Sequence, residues 1–163
     1  MKISFKDLDP RIITDFVEEK DGVIYATCHL RNKMPVCPCC NKKVTPHSSF
    51  THTFYDLPIQ NKPVLISLTK RKYLCRNKNC DCKTFSDKTD FISPKGRKTK
   101  RLIKNIVALT KDMNSVQTSK NLKELGIIAK KSAICNYLKK TKITIPDLSQ
   151  VEALCIDDFA KKK

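Results

Sequence analysis

Cysteine spacing constrains this chain more than any other feature of its sequence. Nine cysteines occur in 163 residues, and six of them form two clusters, Cys37-Pro38-Cys39-Cys40 and Cys75-Arg76-Asn77-Lys78-Asn79-Cys80-Asp81-Cys82. The segment Met1–Pro10 is charged and has no apolar signal-peptide core, which predicts a cytoplasmic protein. In a reducing cytosol, metal binding is favoured over disulfides, and the odd number of cysteines agrees. The clusters therefore predict a metal-binding module, expected over residues 37–92.

Zinc is the metal that this spacing suits best. It takes four tetrahedral ligands, which two short cysteine knuckles can supply. Cys37 and Cys40 have the two-residue spacing of such a knuckle, and Cys75 and Cys80 have a looser four-residue spacing. Four thiolates would close the coordination sphere and leave no position for a reactive water. We therefore expect a structural Zn²⁺ rather than a catalytic one.

Spacing alone leaves other ligands and a redox role open. Cys39 and Cys82 are additional thiols that can compete for the metal, and His47 and His52 are weaker candidates. Cys-Pro-x-Cys also resembles a dithiol redox site, but thiols of that kind sit at the start of a helix. The residues that follow, 41–46, have a turn-like composition, which favours metal binding over redox chemistry.

The N-terminal segment, residues 1–36, is predicted to be a β-hairpin. Asp21-Gly22 is a turn dipeptide between the apolar run Ile12–Val17 and the alternating run Val23–Leu30. In the second strand Ile24, Ala26, Cys28 and Leu30 share one face. Cys28 is therefore expected to be a small buried hydrophobe and not a metal ligand.

After a linker with Pro94 and Gly96 the apolar period becomes helical. Three stripes are expected, formed by Leu102, Ile106, Leu109 and Met113, by Val116, Ser119, Leu122 and Leu125, and by Ala133, Ile134, Tyr137 and Leu138. Gly126 follows the second stripe and is a natural helix C-cap. Three short helices, with a glycine in the turn that connects the second to the third, predict a helix-turn-helix domain over residues 97–142.

Charge predicts double-stranded DNA as the partner. The net charge is +17, and residues 94–142 hold 14 basic against 2 acidic residues, the footprint of a phosphate-binding surface. A three-helix bundle with solvated lysines is the alternative. Candidate DNA contacts are the exposed positions of the third helix, Lys130, Lys131, Ser132, Asn136, Lys139 and Lys140, and a basic arm of Lys95, Arg97, Lys98, Lys100 and Arg101. The chain has no apolar run of 18 residues, so no membrane span is expected.

The order of these parts resembles the front end of insertion-sequence transposases of the ISL-three type. The features that carry the resemblance are Cys37-Pro38-Cys39-Cys40, Asp56-Leu57-Pro58, the strand Val64–Leu68, Arg71-Lys72-Tyr73-Leu74-Cys75, Cys80 and Phe85. A turn glycine that is frequent in the family is replaced here by Asn61-Lys62. The resemblance implies that Cys37, Cys40, Cys75 and Cys80 are the zinc ligands. It also implies a helix-turn-helix that binds the element's terminal inverted repeats, with a homodimer or a complex with an intact transposase as the assembly.

The last segment, residues 150–163, resembles the strand that opens the family's ribonuclease-H-like catalytic domain. Asp157 in Ile156-Asp157-Asp158-Phe159 matches the first carboxylate of the DDE set, which holds Mg²⁺ in an intact family member. The chain ends at Lys163, so we expect this segment to be a remnant and the chain not to be an enzyme by itself. The predicted fold is α+β: a β-rich zinc module, a helix-turn-helix domain and a catalytic-domain stub. A stand-alone helix-turn-helix regulator with a zinc site is the alternative function.

Overall fold

The computed structural model describes residues 3–31, 35–110 and 113–141. Within these residues the fold is mixed α+β, with the strands ahead of the helices. The strands are β1 (Ile12–Lys20), β2 (Val23–Leu30), β3 (Thr45–Ile59), β4 (Lys62–Leu74) and β5 (Thr84–Ser86). The helices are α1 (Lys100–Leu109), α2 (Ser115–Glu124) and α3 (Lys131–Lys140). The predicted strand over 150–163, with Asp157, lies outside the described residues.

All five strands belong to one sheet of order β1-β2-β4-β3, in which β5 pairs with the end of β4. The predicted N-terminal hairpin is confirmed, and both turn residues, Asp21 and Gly22, have positive φ angles of 52° and 71°. Strand β2 then pairs in parallel with β4, from Ile24 opposite Val64 to His29 opposite Thr69. This pairing joins the N-terminal hairpin to the strands that lie between the cysteine clusters.

One face of the sheet carries the main apolar core. The alternating residues of β2 that were predicted to share a face are all buried, and Cys28 has no exposed surface. They pack with Val64, Ile66 and Leu68 of β4 and with Phe54 of β3. This confirms that Cys28 is a buried core residue.

The three helices enclose a second core of Leu102, Ile106, Leu122, Ile127, Ala129 and Ile134. Thr99 and Asn114 cap α1 and α2 by accepting backbone N–H bonds with their side chains. The predicted cap at Gly126 is confirmed: it has φ 73°, and its N–H and that of Ile127 bond back to Lys123 and Leu122.

The predicted apolar stripe of α2 is wrong in two of its members. Val116 and Leu125 are 47% and 40% exposed, whereas Thr118 is fully buried beside Leu122. Helix α1 also ends at Leu109, before Met113. The inward face of α2 therefore includes a threonine, whose hydroxyl donates to the Asn114 carbonyl at 2.9 Å and so needs no other partner.

The helical core rests on the hairpin formed by β3 and β4. Tyr55 and Leu57 of β3 pack against it. At the hairpin turn, the backbone comes so close to Gly126 that a Cβ there would lie 2.2 Å from the Asn61 carbonyl oxygen. The glycine thus permits both the positive φ angle and the close approach of the two backbones.

Candidate metal centre and nucleic-acid interface

The first cysteine knuckle is a tight turn that leads into β3. The Cys37 N–H donates to the Lys42 carbonyl at 2.9 Å, and the Asn41 N–H donates to the Cys37 carbonyl at 2.9 Å. Asn41 has a φ of 54°, a conformation that asparagine tolerates better than most residues. These bonds fix the direction in which the thiols of Cys37 and Cys40 leave the backbone.

The second knuckle connects β4 to β5. The Cys75 N–H donates to the Lys83 carbonyl at 2.9 Å, and the Cys80 N–H donates to the Asn77 carbonyl at 3.2 Å. Since β3 and β4 are antiparallel, the start of β3 and the end of β4 lie together. The sheet therefore brings two cysteine clusters that are distant in sequence to the same place.

Four sulfur atoms meet between the knuckles. The Sγ atoms of Cys37, Cys40, Cys75 and Cys80 all lie within 4.8 Å of one another. The Cys37–Cys80 and Cys40–Cys75 sulfur distances are 3.7 and 3.6 Å. Zn–S bonds of about 2.3 Å in a tetrahedral site separate the sulfurs by about 3.8 Å. The cluster thus has the donor atoms and the spacing that a Zn²⁺ ion requires.

The local environment changes the acidity of these thiols unequally. Burial raises the pKa of Cys37, but hydrogen bonds from the backbone N–H groups of Cys39 and Cys40 and from the thiols of Cys40 and Cys80 together outweigh it and bring the pKa to about 6. Burial raises the pKa of Cys80 to about 12, and the neighbouring thiols act in the same direction. Crowded thiolates repel one another, so a bound cation would displace the remaining protons.

A small apolar cluster supports the cysteines. Val44 and Tyr73 are buried against Cys37, Cys75 and Cys80. The Tyr73 ring stacks on Phe85 of β5, with 5.5 Å between the ring centroids. This third cluster is separate from the sheet core and the helical core, and it has few apolar residues, so a bound metal would supply much of its stabilisation.

The structure also places the other candidate ligands. Cys39 is exposed and Cys82 is half-buried. Their sulfurs are not members of the four-sulfur group, but both lie close to the sulfur of Cys37, which is. His47 is exposed on β3, and the His52 Nε2 lies 2.8 Å from the Gly96 carbonyl. No histidine belongs to a metal-sized cluster among the described residues.

The Cys37–Cys40 turn is followed by β3 and not by a helix, which removes the structural basis for the redox alternative.

Helix α3 exposes the residues that were predicted to contact DNA. Ile134 is fully buried in the helical core, so the helix has a defined inner face. The six predicted residues are all exposed: Lys130, Lys131, Ser132, Asn136, Lys139 and Lys140. Lys130 is the N-cap and, among the described contacts, provides no side-chain cap. The N–H groups of the first turn of α3 therefore donate no hydrogen bond to the N-cap side chain.

The basic arm runs beside the edge strand β3. The Tyr55 N–H donates to the Arg97 carbonyl at 2.9 Å. Lys95, Arg97 and Lys100 are exposed. Lys98 is half-buried with its Nζ 5.7 Å from the centroid of the Tyr55 ring, and burial lowers its pKa.

Arg101 differs from the rest of the arm because its guanidinium is already paired. It donates to both carboxylate oxygens of Asp56, which is 3% exposed, and to Asp7 at 3.2 Å. The Thr99 hydroxyl also donates to Asp56 at 2.7 Å. Sequence reasoning had used Asp56 only as part of a motif. Its partners Thr99 and Arg101 lie 43 and 45 residues further along the chain, so no local pattern signalled that this carboxylate would be buried and paired.

Comparison with protein families identifies a transposase-related zinc-ribbon domain in this chain. Residues 33–82 match the family described as the zinc-finger of transposase IS204/IS1001/IS1096/IS1165. The match covers both knuckles and strands β3 and β4. Comparison of the chain with curated proteins and with solved structures gave no significant match. Among the residues that the structure describes, no helix is long and apolar enough to cross a membrane.

Proposed function

We propose that this chain binds double-stranded DNA as the recognition part of an insertion-sequence transposase. The observation that carries the proposal is the outer surface of α3, where six polar or basic residues are exposed on a helix anchored by buried Ile134. The zinc-ribbon match at 33–82 supports a transposase context for that surface. The proposed site of action is the cytoplasm.

Helices α2 and α3 would act as the helix-turn-helix. The Ser119 hydroxyl donates to the Ala129 carbonyl at 2.7 Å, which ties α2 to the segment that enters α3. Such a connection presents the second helix to the major groove as a rigid element. In that position Asn136 can pair with an adenine edge, and Ser132 can reach bases. Lys130, Lys131, Lys139 and Lys140 would contact phosphates.

The arm would add contacts that do not depend on sequence. Arg97, Lys98 and Lys100 project from a segment that is hydrogen-bonded to β3, so a phosphate contact there would also fix the sheet relative to the DNA. We assign Arg101 a smaller share of the DNA contact, because Asp56 and Asp7 already accept its hydrogen bonds.

The metal would have a structural role. We propose that Cys37, Cys40, Cys75 and Cys80 hold Zn²⁺, which would supply the cross-link that this small cluster lacks. The two knuckles belong to the ends of β3 and β4, so the ion would stabilise the sheet that carries the helical domain. Residues 37–92 would then be the zinc module, 1–36 the hairpin that completes its sheet, and 97–142 the DNA-binding domain.

The proposed target is the terminal inverted repeats of the element. A homodimer, or a complex with an intact transposase, would bring two ends together. The role that we propose for the described residues is binding, and in an intact family member the Mg²⁺-binding carboxylates of the catalytic domain would carry out strand transfer. Asp157, the residue that would begin that set, lies outside the described residues.

The test is fluorescence anisotropy with duplexes from the DNA that flanks the gene, compared with scrambled duplexes of equal length over a salt series. The proposal predicts tighter binding to one flanking sequence and affinity that falls steeply with salt. Equal affinity for both duplexes would contradict the role in element-end recognition. Salt-sensitive binding confined to a promoter operator would instead indicate the stand-alone regulator.

A further inference from the structure

A second group of thiols lies beside the four-cysteine cluster. The Sγ atoms of Cys37, Cys39 and Cys82 also lie within 4.8 Å of one another. Cys37 belongs to both groups. Its side chain has no exposed surface, whereas Cys39 is exposed and Cys82 is half-buried. The six cysteines of the two knuckles therefore form one continuous array of sulfurs that runs from the interior to the surface.

We propose that Cys37, Cys39 and Cys82 form a second metal site, in which the Cys37 thiolate bridges two ions. A thiolate sulfur has more than one lone pair and can bind two metals at once. The ligand set is three soft sulfurs, which selects thiophilic ions with a filled d shell such as Zn²⁺ or Cd²⁺. The fourth position would face solvent on the side of Cys39.

The arrangement of the knuckles favours an ion at this place. Cys39 comes from the first knuckle and Cys82 from the second, so the ion would join the two loops in the same way as the inner one. The Cys82 carbonyl lies 3.7 Å from the Cys80 sulfur, which places the Cys82 backbone beside the inner cluster. Neither thiol would have to leave its loop to reach the metal.

The charges around the array of six sulfurs also favour a second divalent ion. Six thiolates and two divalent ions together keep a negative charge. Lysines adjoin both knuckles in sequence, at Lys42, Lys43 and Lys83, and all three are exposed. These cations would offset the charge of the cluster.

The outer ion would be held less tightly than the inner one. It has three protein ligands, of which one is shared and one is exposed, whereas the inner ion has four. A mild chelator should therefore remove the outer ion first and leave the inner site filled. The outer site would make the fold of the knuckle surface depend on the supply of free metal.

The experiment is a titration of the full, reduced chain with Cd²⁺, followed by thiolate-to-metal ultraviolet absorption and by native mass spectrometry. Wild type should bind two ions per chain. Cys39→Ser and Cys82→Ser should bind one, since both keep the four inner cysteines. Cys135→Ser, which alters a half-buried cysteine of α3, is the matched control and should bind two.

Three results would overturn the proposal. One is a single ion in the wild-type chain. Another is two ions in the Cys39→Ser variant, which would place the second ion elsewhere. The third is a Cys39–Cys82 disulfide that persists under the reducing conditions and leaves room for only one ion. An intact absorption signal from the inner site in both serine variants shows that the knuckles still fold.

Discussion

Arg101 at the start of α1 is paired with the buried carboxylate of Asp56 in β3. Only 1% of the Asp56 side chain is exposed, against 34% for Arg101. Thr99, the N-cap of α1, donates to the same carboxylate and is itself fully buried. The pair therefore attaches the first helix to the sheet, and a cation from the basic arm contributes to the fold.

Replacing Arg101 should therefore reduce stability more than replacing its neighbours. We expect Arg101→Ala to lower the free energy of unfolding by about 2–4 kcal/mol, because it leaves a buried carboxylate without its cation. Arg97→Ala is the control, since Arg97 is exposed and only its backbone bonds to β3; its effect should stay within about 0.5 kcal/mol. Urea unfolding measures both, and equal effects would show that the Asp56 pair is not structural.

The contact between Gly126 and the β3–β4 turn gives a second prediction. Gly126→Ala should destabilise the protein by roughly 2–4 kcal/mol, because a Cβ is disfavoured at positive φ and would clash with Asn61. Gly22 has almost the same φ, but a Cβ there meets nothing within 4 Å. Gly22→Ala should therefore show the backbone cost alone, about 1 kcal/mol. Thermal unfolding of the two variants isolates the clash, and identical losses would argue against the close approach.

Removal of the metal should affect the knuckles before the sheet. The cysteines pack in their own small cluster, apart from the core around Ile66 and Leu68. With a strong chelator, we expect the amides of Cys37 and Cys75 to lose protection from hydrogen exchange while that of Ile66 keeps it. Exchange followed by mass spectrometry tests this. Unchanged protection at both knuckles would contradict a structural metal.

Cys28 should make the folded protein less stable at alkaline pH. Burial raises the pKa of its thiol from 9.0 to about 11. The folded chain keeps a proton that the unfolded chain releases in this window, so stability should fall as the pH rises from 9 to about 11, by up to roughly 2–3 kcal/mol. Cys28→Ala should show a shallower decline in urea unfolding over the same range. A decline of the same slope in both proteins would mean that Cys28 does not control it.

Local patterns were enough to predict the elements that depend on near neighbours. The Asp21-Gly22 hairpin, the buried face of β2 and the Gly126 cap each follow from residues a few positions apart. For the four-sulfur cluster, spacing indicated the two knuckles but left Cys39 and Cys82 open as ligands, and the resemblance to ISL-three-type transposases pointed to the four cysteines whose sulfurs meet. These features need no knowledge of the rest of the fold.

Contacts between distant segments could not be predicted in this way. Alternation shows which face of β2 is buried but not that β4 is its parallel neighbour. Likewise, the charge of Arg101 does not reveal whether it faces DNA or Asp56, since the two residues are far apart in sequence. In α2, Val116 and Leu125 fit an apolar period but are exposed, because the partners of that helix lie on the side of Thr118.

The most direct test of the central claim compares two variants of α3. Anisotropy with the preferred and the scrambled duplex would be measured for Lys131→Ala, for Asn136→Ala and for Lys88→Ala, an exposed control outside the proposed surface. Lys131→Ala should weaken binding to both duplexes. It should also reduce, by about 1, the magnitude of the slope of the logarithm of the binding constant against the logarithm of the salt concentration. Asn136→Ala should cost about 1–3 kcal/mol on the preferred duplex alone, and Lys88→Ala should change neither. Equal losses on both duplexes for Asn136→Ala, or wild-type binding by both α3 variants, would contradict recognition of DNA by this helix.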